Sequence, residues 1–592
     1  MERSEVEAKY KWKAEDIFPS DEAWEEQYAA AASSLSLRAW EGKLHDAGEL
    51  AAFFRRQEEV GRALERLYLY AHMRHDEDSR VAKYTAMQSR AMSLYVRFSS
   101  ETAFAEPELT ALDDAVLRSF LQDERLRDQD YYLRRLIRSK KHVLSAAEEK
   151  LLAQGGEVYA QFQNIFSMID NADIRFGEIE DGSGGGVPLT HGMYGVFLHG
   201  KDRDLRRRAF AQYYKSYIDL TNTIAATYFG NVKKDVFLSR ARGYDSCLQR
   251  ALEGEDVPVC VYENLISAVH ENLPDMHRYI ALRKRVLGYE EQHMYDIYAP
   301  LVEDAELKLS YEDACELVVR GLSPLGEEYG ALLRKGFAEG WVDVCETAGK
   351  RSGAYSTGAY GVHPYVLLNY QQTTSDVFTI AHEMGHALHT YYSNAAQPYA
   401  KADYRIFVAE VASTVNEVLL LRHILSGTRD EKMQAYLLSY FLDTVRATLH
   451  RQTMFAEFES VAHDMVEKGT PLTSENLCAE YLRLNKLYYG DAIVHDEQIA
   501  YEWSRIPHFY TSFYVYKYAT GIVSAISIAE RILTEGAPAV ADYKKFLSSG
   551  GSDSPVELLK IAGVDLTTQA PFTAAMLSFA DTLDRLEKLL VK

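Results

Sequence analysis

The stretch TSDVFTIAHEMGHALH at residues 374–389 decides how the whole 592-residue chain is interpreted. Its residues follow a helical pattern with capping residues at the start, so a helix is predicted here. Four residues advance a helix by slightly more than one turn, so His382 and His386 project from one face and can bind one zinc ion. Glu383 lies at the edge of that face, where it can take a proton from a metal-bound water.

An HExxH pattern needs a third ligand before it indicates a catalytic zinc site. Alone, it is also compatible with an amphipathic helix whose histidines are ordinary core or surface groups. The metzincin continuation is missing, because His389 and Tyr392 occupy the positions of its glycine and its third histidine. The next candidates are Glu410 and Glu417, which lie two turns apart on one face of the helix predicted over 407–419.

These two glutamates are costly to bury without partners, because the rest of their helix is largely apolar. If Glu410 ligates zinc, Glu417 can accept a hydrogen bond from a ligand histidine and fix the orientation of that imidazole. The alternative is a partly exposed helix edge with two solvated glutamates.

The remainder of the chain is predicted to be mainly helical. Over 340–370, glycines alternate with aromatic and branched residues, a composition typical of short strands, so we expect one small β-sheet next to the HExxH helix. The glycine run at 182–186 lacks the lysine of a phosphate-binding loop and is interpreted as a flexible hairpin tip or linker. A boundary is expected near residue 200, between a helical N-terminal region, 1–200, and a region that carries the metal motif, 201–592.

Composition and charge argue against several classes of function. The formal net charge of -22, from 87 acidic and 65 basic residues, opposes binding to nucleic acid or to an anionic membrane. The five cysteines form no CxxC pair, so neither a disulfide framework nor a thiolate zinc site is indicated. No apolar export segment or stretch of roughly 18 apolar residues is found, which predicts a cytoplasmic protein.

Short motifs spread over nearly the whole chain resemble those of one enzyme family. They are KYKW at 9–12, IFPS at 17–20, HMYD at 293–296, YAP at 298–300, HEMGH at 382–386 and IPHFY at 506–510. In this order they resemble the oligoendopeptidase F branch of the thimet-oligopeptidase-like family of zinc metallopeptidases. The resemblance implies a mainly α fold, in which a large helical body is divided by a deep substrate channel. The HExxH helix would form the channel floor and residues 1–200 its roof.

The same resemblance assigns roles to the metal motif. It implies one zinc ion per chain, held by His382, His386 and Glu410, with Glu383 as the general base. Glu417 corresponds to the glutamate that hydrogen-bonds a ligand histidine. Zinc held by three protein ligands should lower the pKa of its water to about 7, and Glu383 would accept the proton.

The segment HFYTSFYVYKY at 508–518 is dense in aromatic hydroxyls. Tyr510, Tyr514 and Tyr518 recur at four-residue spacing, which by itself is more often a packed aromatic stripe than a catalytic group. The resemblance implies instead that His508 and a tyrosine hold the substrate carbonyl. Tyr514 is favoured for this role, followed by Tyr510.

The function implied by the resemblance is zinc-dependent endopeptidase action on short oligopeptides, of roughly 6 to 20 residues. The strand near Gly358, Ala359 and Tyr360 could bind the substrate backbone as an added strand. Two other functions stay open, a non-catalytic helical protein that keeps zinc as a structural element and an exopeptidase on a related scaffold. An aminopeptidase is disfavoured, because no Gly-Met-Glu-Asn motif is present, but a carboxypeptidase is not.

Overall fold

The chain is mainly helical, which confirms the mainly α fold class, whereas the deep substrate channel with the HExxH helix on its floor stays a prediction. The computed structural model describes residues 1–180, 185–302 and 305–591. The first α-helices are α1 Asp21–Ser34, α2 Ala47–Glu77, α3 Ala82–Thr102, α4 Ala105–Ala111, α5 Asp114–Phe120, α6 Asp130–Ser139, α7 Ala146–Gln154, α8 Gly156–Met168, α9 His191–His199, α10 Arg203–Asp219, α11 Thr221–Ala241 and α12 Cys247–Gly254. They are followed by α13 Val259–Val286, α14 Tyr311–Gly321, α15 Glu327–Ala338, α16 Thr374–Ala396, α17 Tyr399–Ala402, α18 Ile406–Gly427, α19 Glu431–Val445, α20 Arg451–Glu467, α21 Ser474–Tyr489, α22 Tyr516–Glu535, α23 Ala537–Leu547, α24 Pro555–Ile561 and α25 Ala570–Leu590. Within the described residues, no helix has both the length and the apolar character needed to cross a membrane.

Local sequence signals account for the start of α16, the helix that carries the HExxH motif. The hydroxyl of Thr373 accepts the N–H of Asp376 at 3.2 Å, and the carboxylate of Asp376 accepts the N–H of Thr373 at 2.9 Å. This reciprocal pair satisfies donors that the first turn of a helix otherwise leaves unpaired. Because the first turn is fixed, the face on which His382 and His386 lie is fixed as well.

The described residues form two small sheets rather than one. The strands are β1 Glu178–Glu180, β2 Gly186–Pro188, β3 Val342–Asp343, β4 Tyr355–Thr357 and β5 Tyr365–Leu367. β1 and β2 pair antiparallel, and the other three strands form a second sheet in the order β3-β5-β4. The prediction of one small sheet is therefore wrong, because strands of three residues are too short to show the alternation from which strands are predicted. Residues 181–184, which include most of the predicted hairpin tip, lie outside the described residues.

The second sheet is the predicted one, and it lies against α16. Its central strand β5 runs parallel to β3 and antiparallel to β4, with Val366 opposite Ser356. Tyr365 and Leu367 of β5 belong to a buried cluster that also contains Leu67 of α2. Both β4 and β5 contact α16. The central strand β5 is therefore buried in the core, and β4 is an edge strand that lies beside the HExxH helix.

The chain forms two compact units, each assembled from three segments. The first contains Met1–Val143, Glu306–Ser426 and Ile528–Val564, and the second contains Leu144–Ala305, Gly427–Ser527 and Asp565–Lys592. The predicted metal ligands lie in the first unit, and the aromatic segment 508–518 lies in the second. The division near residue 200 and the role of residues 1–200 as a channel roof stay predictions.

Candidate metal centre

His382 and His386 lie on one face of α16, as their spacing predicts. Their Nε2 atoms are 3.2 Å apart, and their rings are nearly perpendicular, at 80°. Both side chains are partly buried, with 27% and 19% of their surface exposed. One turn of helix therefore brings two nitrogen donors to the same point, while leaving part of each ring accessible.

Glu410 of α18 adds an oxygen donor to this pair. Its Oε2 atom lies 3.4 Å from Nε2 of His382 and 3.5 Å from Nε2 of His386. The hydroxyl of Ser413 donates to the same oxygen at 3.3 Å. One donor atom from each of the three residues lies within 4.8 Å of the others, so the group could hold a metal ion.

The identity and spacing of these donors fit zinc. A tetrahedral zinc ion with bonds of about 2.0–2.1 Å holds neighbouring donors about 3.3–3.4 Å apart. The three separations in this group are 3.2, 3.4 and 3.5 Å. Two imidazoles and one carboxylate are also a ligand set of catalytic zinc sites, which keep a fourth position open. His382, His386 and Glu410 are therefore the residues that would hold the ion.

A glycine allows α16 and α18 to approach closely enough for this geometry. A Cβ atom on Gly385 would lie 2.6 Å from the Cα of Ser413 and 2.7 Å from the carbonyl oxygen of Ala412. The amide of Asn416 ties the two helices together by donating to the carbonyl of Ala381 at 2.9 Å. Sequence reasoning did not identify Gly385 or Asn416. The sequence contained one indication of this close approach, a glycine inside a helical pattern, because glycine is unfavourable in a helix unless packing requires it.

Glu417 fixes the orientation of His382. Nδ1 of His382 donates to Oε1 of Glu417 at 2.5 Å, which leaves Nε2 directed at the other two donors. Burial alone would lower the pKa of His382, but the contacts with Glu410 and Glu417 outweigh burial and raise that pKa to about 10. A carboxylate in this position makes the imidazole a more basic ligand and restricts its rotation.

Glu383 is buried beside the histidines, with 7% of its surface exposed. Burial raises the pKa of its carboxyl group, and the nearby His382 and His386 oppose that rise. A carboxylate with a raised pKa is better suited to exchanging protons near neutral pH than an ordinary surface glutamate.

In the second unit, the structure brings His508 and Tyr514 together and places Tyr510 elsewhere. The rings of His508 and Tyr514 lie nearly parallel, at 17°, with centroids 6.0 Å apart. The hydroxyl of Tyr518 lies 3.4 Å from Nε2 of His508. Tyr510 instead stacks on Phe166 with a centroid separation of 4.4 Å, and its buried hydroxyl has no hydrogen-bond partner among the described residues.

Gly358, Ala359 and Tyr360 directly follow β4 and lie along the C-terminal half of α16. A Cβ atom on Gly358 would lie 3.3 Å from Cγ2 of Thr390. The hydroxyl of Tyr360 donates to the carbonyl of Gln397 at 2.9 Å. The three predicted substrate-binding residues therefore continue the outer edge of the second sheet beside the HExxH helix.

Two helices that present an HExxH pair and a downstream glutamate to one point define a metallopeptidase centre. Comparison with known proteins agrees with this class. Residues 196–578 match the model of Peptidase family M3, and residues 108–176 match that of Oligopeptidase F. The chain therefore belongs to peptidase family M3, a zinc-dependent family.

Relatives align over nearly the full chain. Oligopeptidase PepF of Bacillus subtilis (strain 168) is 45% identical over 594 residues, which cover 100% of this chain and 89% of the relative. The crystal structure of oligoendopeptidase-F from Enterococcus faecium has a TM-score of 0.74 and 35% identity, covering 96% of this chain and 99% of that one. A crystal structure from Chlamydophila abortus has a TM-score of 0.95 and 36% identity, covering 99% of each chain. These findings confirm the resemblance to oligoendopeptidase F and identify the chain as an M3 metallopeptidase.

Proposed function

We propose that the chain is a zinc-dependent endopeptidase that hydrolyses internal bonds of short oligopeptides, with one zinc ion per chain. The observation that carries the proposal is the group of His382, His386 and Glu410, whose donor atoms are 3.2 to 3.5 Å apart. Glu383 follows directly on the same helix as a candidate base. The names of the relatives, oligopeptidase and oligoendopeptidase, support both the substrate class and attack on internal bonds.

Glu383 is the residue proposed to move the proton. When bound, zinc would supply Lewis acidity towards a water molecule and the scissile carbonyl. Glu383 would accept a proton from the attacking water and deliver it to the amine nitrogen as the C–N bond breaks. Its burial supports this role, because it limits competition from bulk water for the same proton.

His508 and Tyr514 are proposed to donate hydrogen bonds to the carbonyl oxygen as negative charge develops on it. Partial burial and the charge of Arg451 both lower the pKa of His508, which favours the neutral imidazole, and a neutral imidazole can donate through one N–H. Tyr514 is favoured over Tyr510 because it is partly exposed and lies against His508. The hydroxyl of Tyr510 is buried.

The substrate is proposed to bind as an extended chain along β4 and the residues that follow it, Gly358, Ala359 and Tyr360. Main-chain hydrogen bonds of an added strand are largely independent of side chains, so binding would tolerate many sequences. Residues 1–200 are proposed to roof a channel over the site. That enclosure would limit substrates to roughly 6 to 20 residues, because only a short, flexible chain can thread into it.

A short peptide blocked by an N-terminal acetyl and a C-terminal amide tests the endopeptidase assignment. We expect the zinc-loaded enzyme to release internal fragments, identified by mass spectrometry, and Glu383→Gln to release almost none. If the blocked peptide stays intact while the unblocked peptide is shortened from its C terminus, the enzyme is a carboxypeptidase and the assignment fails.

Zinc content tests the ligand set. We expect one zinc ion per chain in the unmodified protein and loss of tightly bound zinc from Glu410→Ala, because two histidines alone leave the site one ligand short. Glu339→Ala is the matched control, since Glu339 is an exposed glutamate of the same unit. A Glu410→Ala protein that retained one tightly bound zinc ion would show that another residue is the third ligand.

A further inference from the structure

The two proposed donors, His508 and Tyr514, lie at the ends of residues 508–514, which we call the donor segment. This segment leads from the 3-10 turn Pro507–Tyr510 into α22. Thr511 to Tyr514 have no regular secondary structure. Backbone without helix or sheet hydrogen bonds needs other partners if its side chains are to keep fixed positions.

Side chains of α11 hold the first part of the donor segment. The amide nitrogen of Asn231 lies 3.3 Å from both the carbonyl oxygen of Phe509 and the hydroxyl oxygen of Ser512, and donates to them. The hydroxyl of Ser512 in turn donates to Asp235 at 2.7 Å. Asn231 and Asp235 are both buried. The donor segment is therefore anchored from the interior of the second unit.

Glu459 of α20 holds the last part of the donor segment, next to Tyr514. The N–H of Phe513 donates to Oε1 of Glu459 at 3.0 Å, and Glu459 is 0% exposed. Phe513 has a φ of +59°, in the left-handed region that residues other than glycine seldom adopt. Its ring is also buried, with its centroid 4.5 Å from that of His463. The hydrogen bond from the N–H of Phe513 and the burial of its ring therefore both stabilise the positive φ.

Burying the carboxyl group of Glu459 lowers the stability of the core, so we expect this group to have a specific role. Its Oε2 atom has no hydrogen-bond partner among the described residues, and burial raises the pKa of the group well above its usual range. A leucine would fill similar space without removing a carboxyl group from water. What leucine would lack is the oxygen that accepts the N–H of Phe513.

We propose that Glu459 is a positioning residue that fixes the backbone of Phe513 and thereby sets the placement of Tyr514 relative to His508. The inference rests on the proposed role of His508 and Tyr514 as donors to the carbonyl oxygen. Without the accepting oxygen, Phe513 could relax towards negative φ. Because Tyr514 is the next residue, that relaxation would move its ring away from His508.

Steady-state kinetics of two variants test this role. Glu459→Ala removes the acceptor, so we expect kcat to fall by up to about tenfold, the loss expected when Tyr514 no longer donates its hydrogen bond. KM and zinc content should stay unchanged. Glu459→Gln keeps an accepting oxygen and should retain kcat to within about twofold. Thr453→Ala is the control for general destabilisation, because the buried hydroxyl of Thr453 bonds to the carbonyl of Leu449, in the π-helical turn just before α20, and not to the donor segment.

Two results would overturn the inference. One is an unchanged kcat in Glu459→Ala, and the other is an equal fall in Glu459→Ala, Glu459→Gln and Thr453→Ala. If Glu459→Ala does not fold, Glu459→Leu takes its place in the same comparison, since leucine fills the space but offers no acceptor.

A double-mutant cycle with Tyr514→Phe separates failure of this inference from failure of the proposed function. If Glu459 acts through the placement of Tyr514, Glu459→Ala should lower kcat much less in the Tyr514→Phe background than in the unmodified protein. A full, additive loss would overturn the inference and leave the role of Tyr514 intact. A normal kcat in Tyr514→Phe alone would overturn the proposed role of Tyr514, and the inference with it.

Discussion

The metal-ligand group and the donor segment differ in what holds their side chains. His382, His386 and Glu410 project from two long helices, whose backbones are fixed by their own hydrogen bonds and by close approach at Gly385. The donor segment instead depends on buried side chains of α11 and α20 that bind its backbone. The side chains of the metal-ligand group are therefore positioned by their own helices, whereas the proposed donors depend on residues distant in sequence.

The largest loss of turnover is expected from Glu383→Gln, which leaves the metal-ligand group intact and changes only the neighbouring glutamate, the proposed base. The amide keeps the shape of the side chain but cannot accept the proton, so turnover should fall by up to about 10⁴-fold. Zinc content, measured in the same samples, should not change. Near-normal turnover would show that proton transfer does not depend on Glu383.

His508→Ala makes the corresponding change in the donor segment. Turnover should fall by about 10²- to 10³-fold, the loss expected when one donor to the developing oxyanion is removed. Zinc should stay bound, because the metal ligands are untouched. His199→Ala, an exposed histidine of the same unit, serves as the control. If both variants keep full turnover, His508 is an ordinary surface histidine.

The metal-ligand group could be predicted largely from the sequence because helical periodicity fixes its geometry. Spacing alone predicts that His382 and His386 share one face of their helix, α16. It predicts in the same way that Glu410 and Glu417 share one face of a second helix, α18. The close approach at Gly385 could not be predicted in this way, since it depends on which helix lies opposite. The same periodicity carries no information on how α16 and α18 cross.

The anchors of the donor segment could not be predicted, because they are remote in sequence. Asn231 is 278 residues from Phe509, and Glu459 is 54 residues from Phe513. Neither lies in a recognisable motif. The four-residue spacing of the tyrosines also could not show which of Tyr510 and Tyr514 lies beside His508. In a continuous helix that spacing would put both on one face, but the backbone after residue 510 is irregular.

Glu417→Ala tests whether the metal-ligand group, although it projects from two helices, also needs the hydrogen bond between His382 and Glu417. Without the acceptor for Nδ1 of His382, we expect zinc affinity to fall about 10- to 100-fold, measured by competition with a chelator. Glu417→Gln is the matched variant, because its amide oxygen can still accept that hydrogen bond, so it should lose less. Equal affinity in all three proteins would show that helix geometry alone orients the imidazole.

The smallest change in kcat is expected when a single hydroxyl group is removed from the donor segment, by Tyr514→Phe or by Tyr510→Phe. The first should lower kcat about tenfold, since one hydrogen bond of about 1.4 kcal/mol is lost at the transition state. The second should change kcat by less than about twofold.

Thermal unfolding should separate these two tyrosines as well. Tyr510→Phe keeps the ring stacked on Phe166 and removes a buried hydroxyl that has no partner among the described residues, so stability should hold or rise slightly. Tyr514 is partly exposed, so its hydroxyl contributes little to stability. A larger kinetic loss from Tyr510→Phe would reverse the order of the two candidates. It would also require the donor segment to rearrange when substrate binds, because the hydroxyl of Tyr510 is buried.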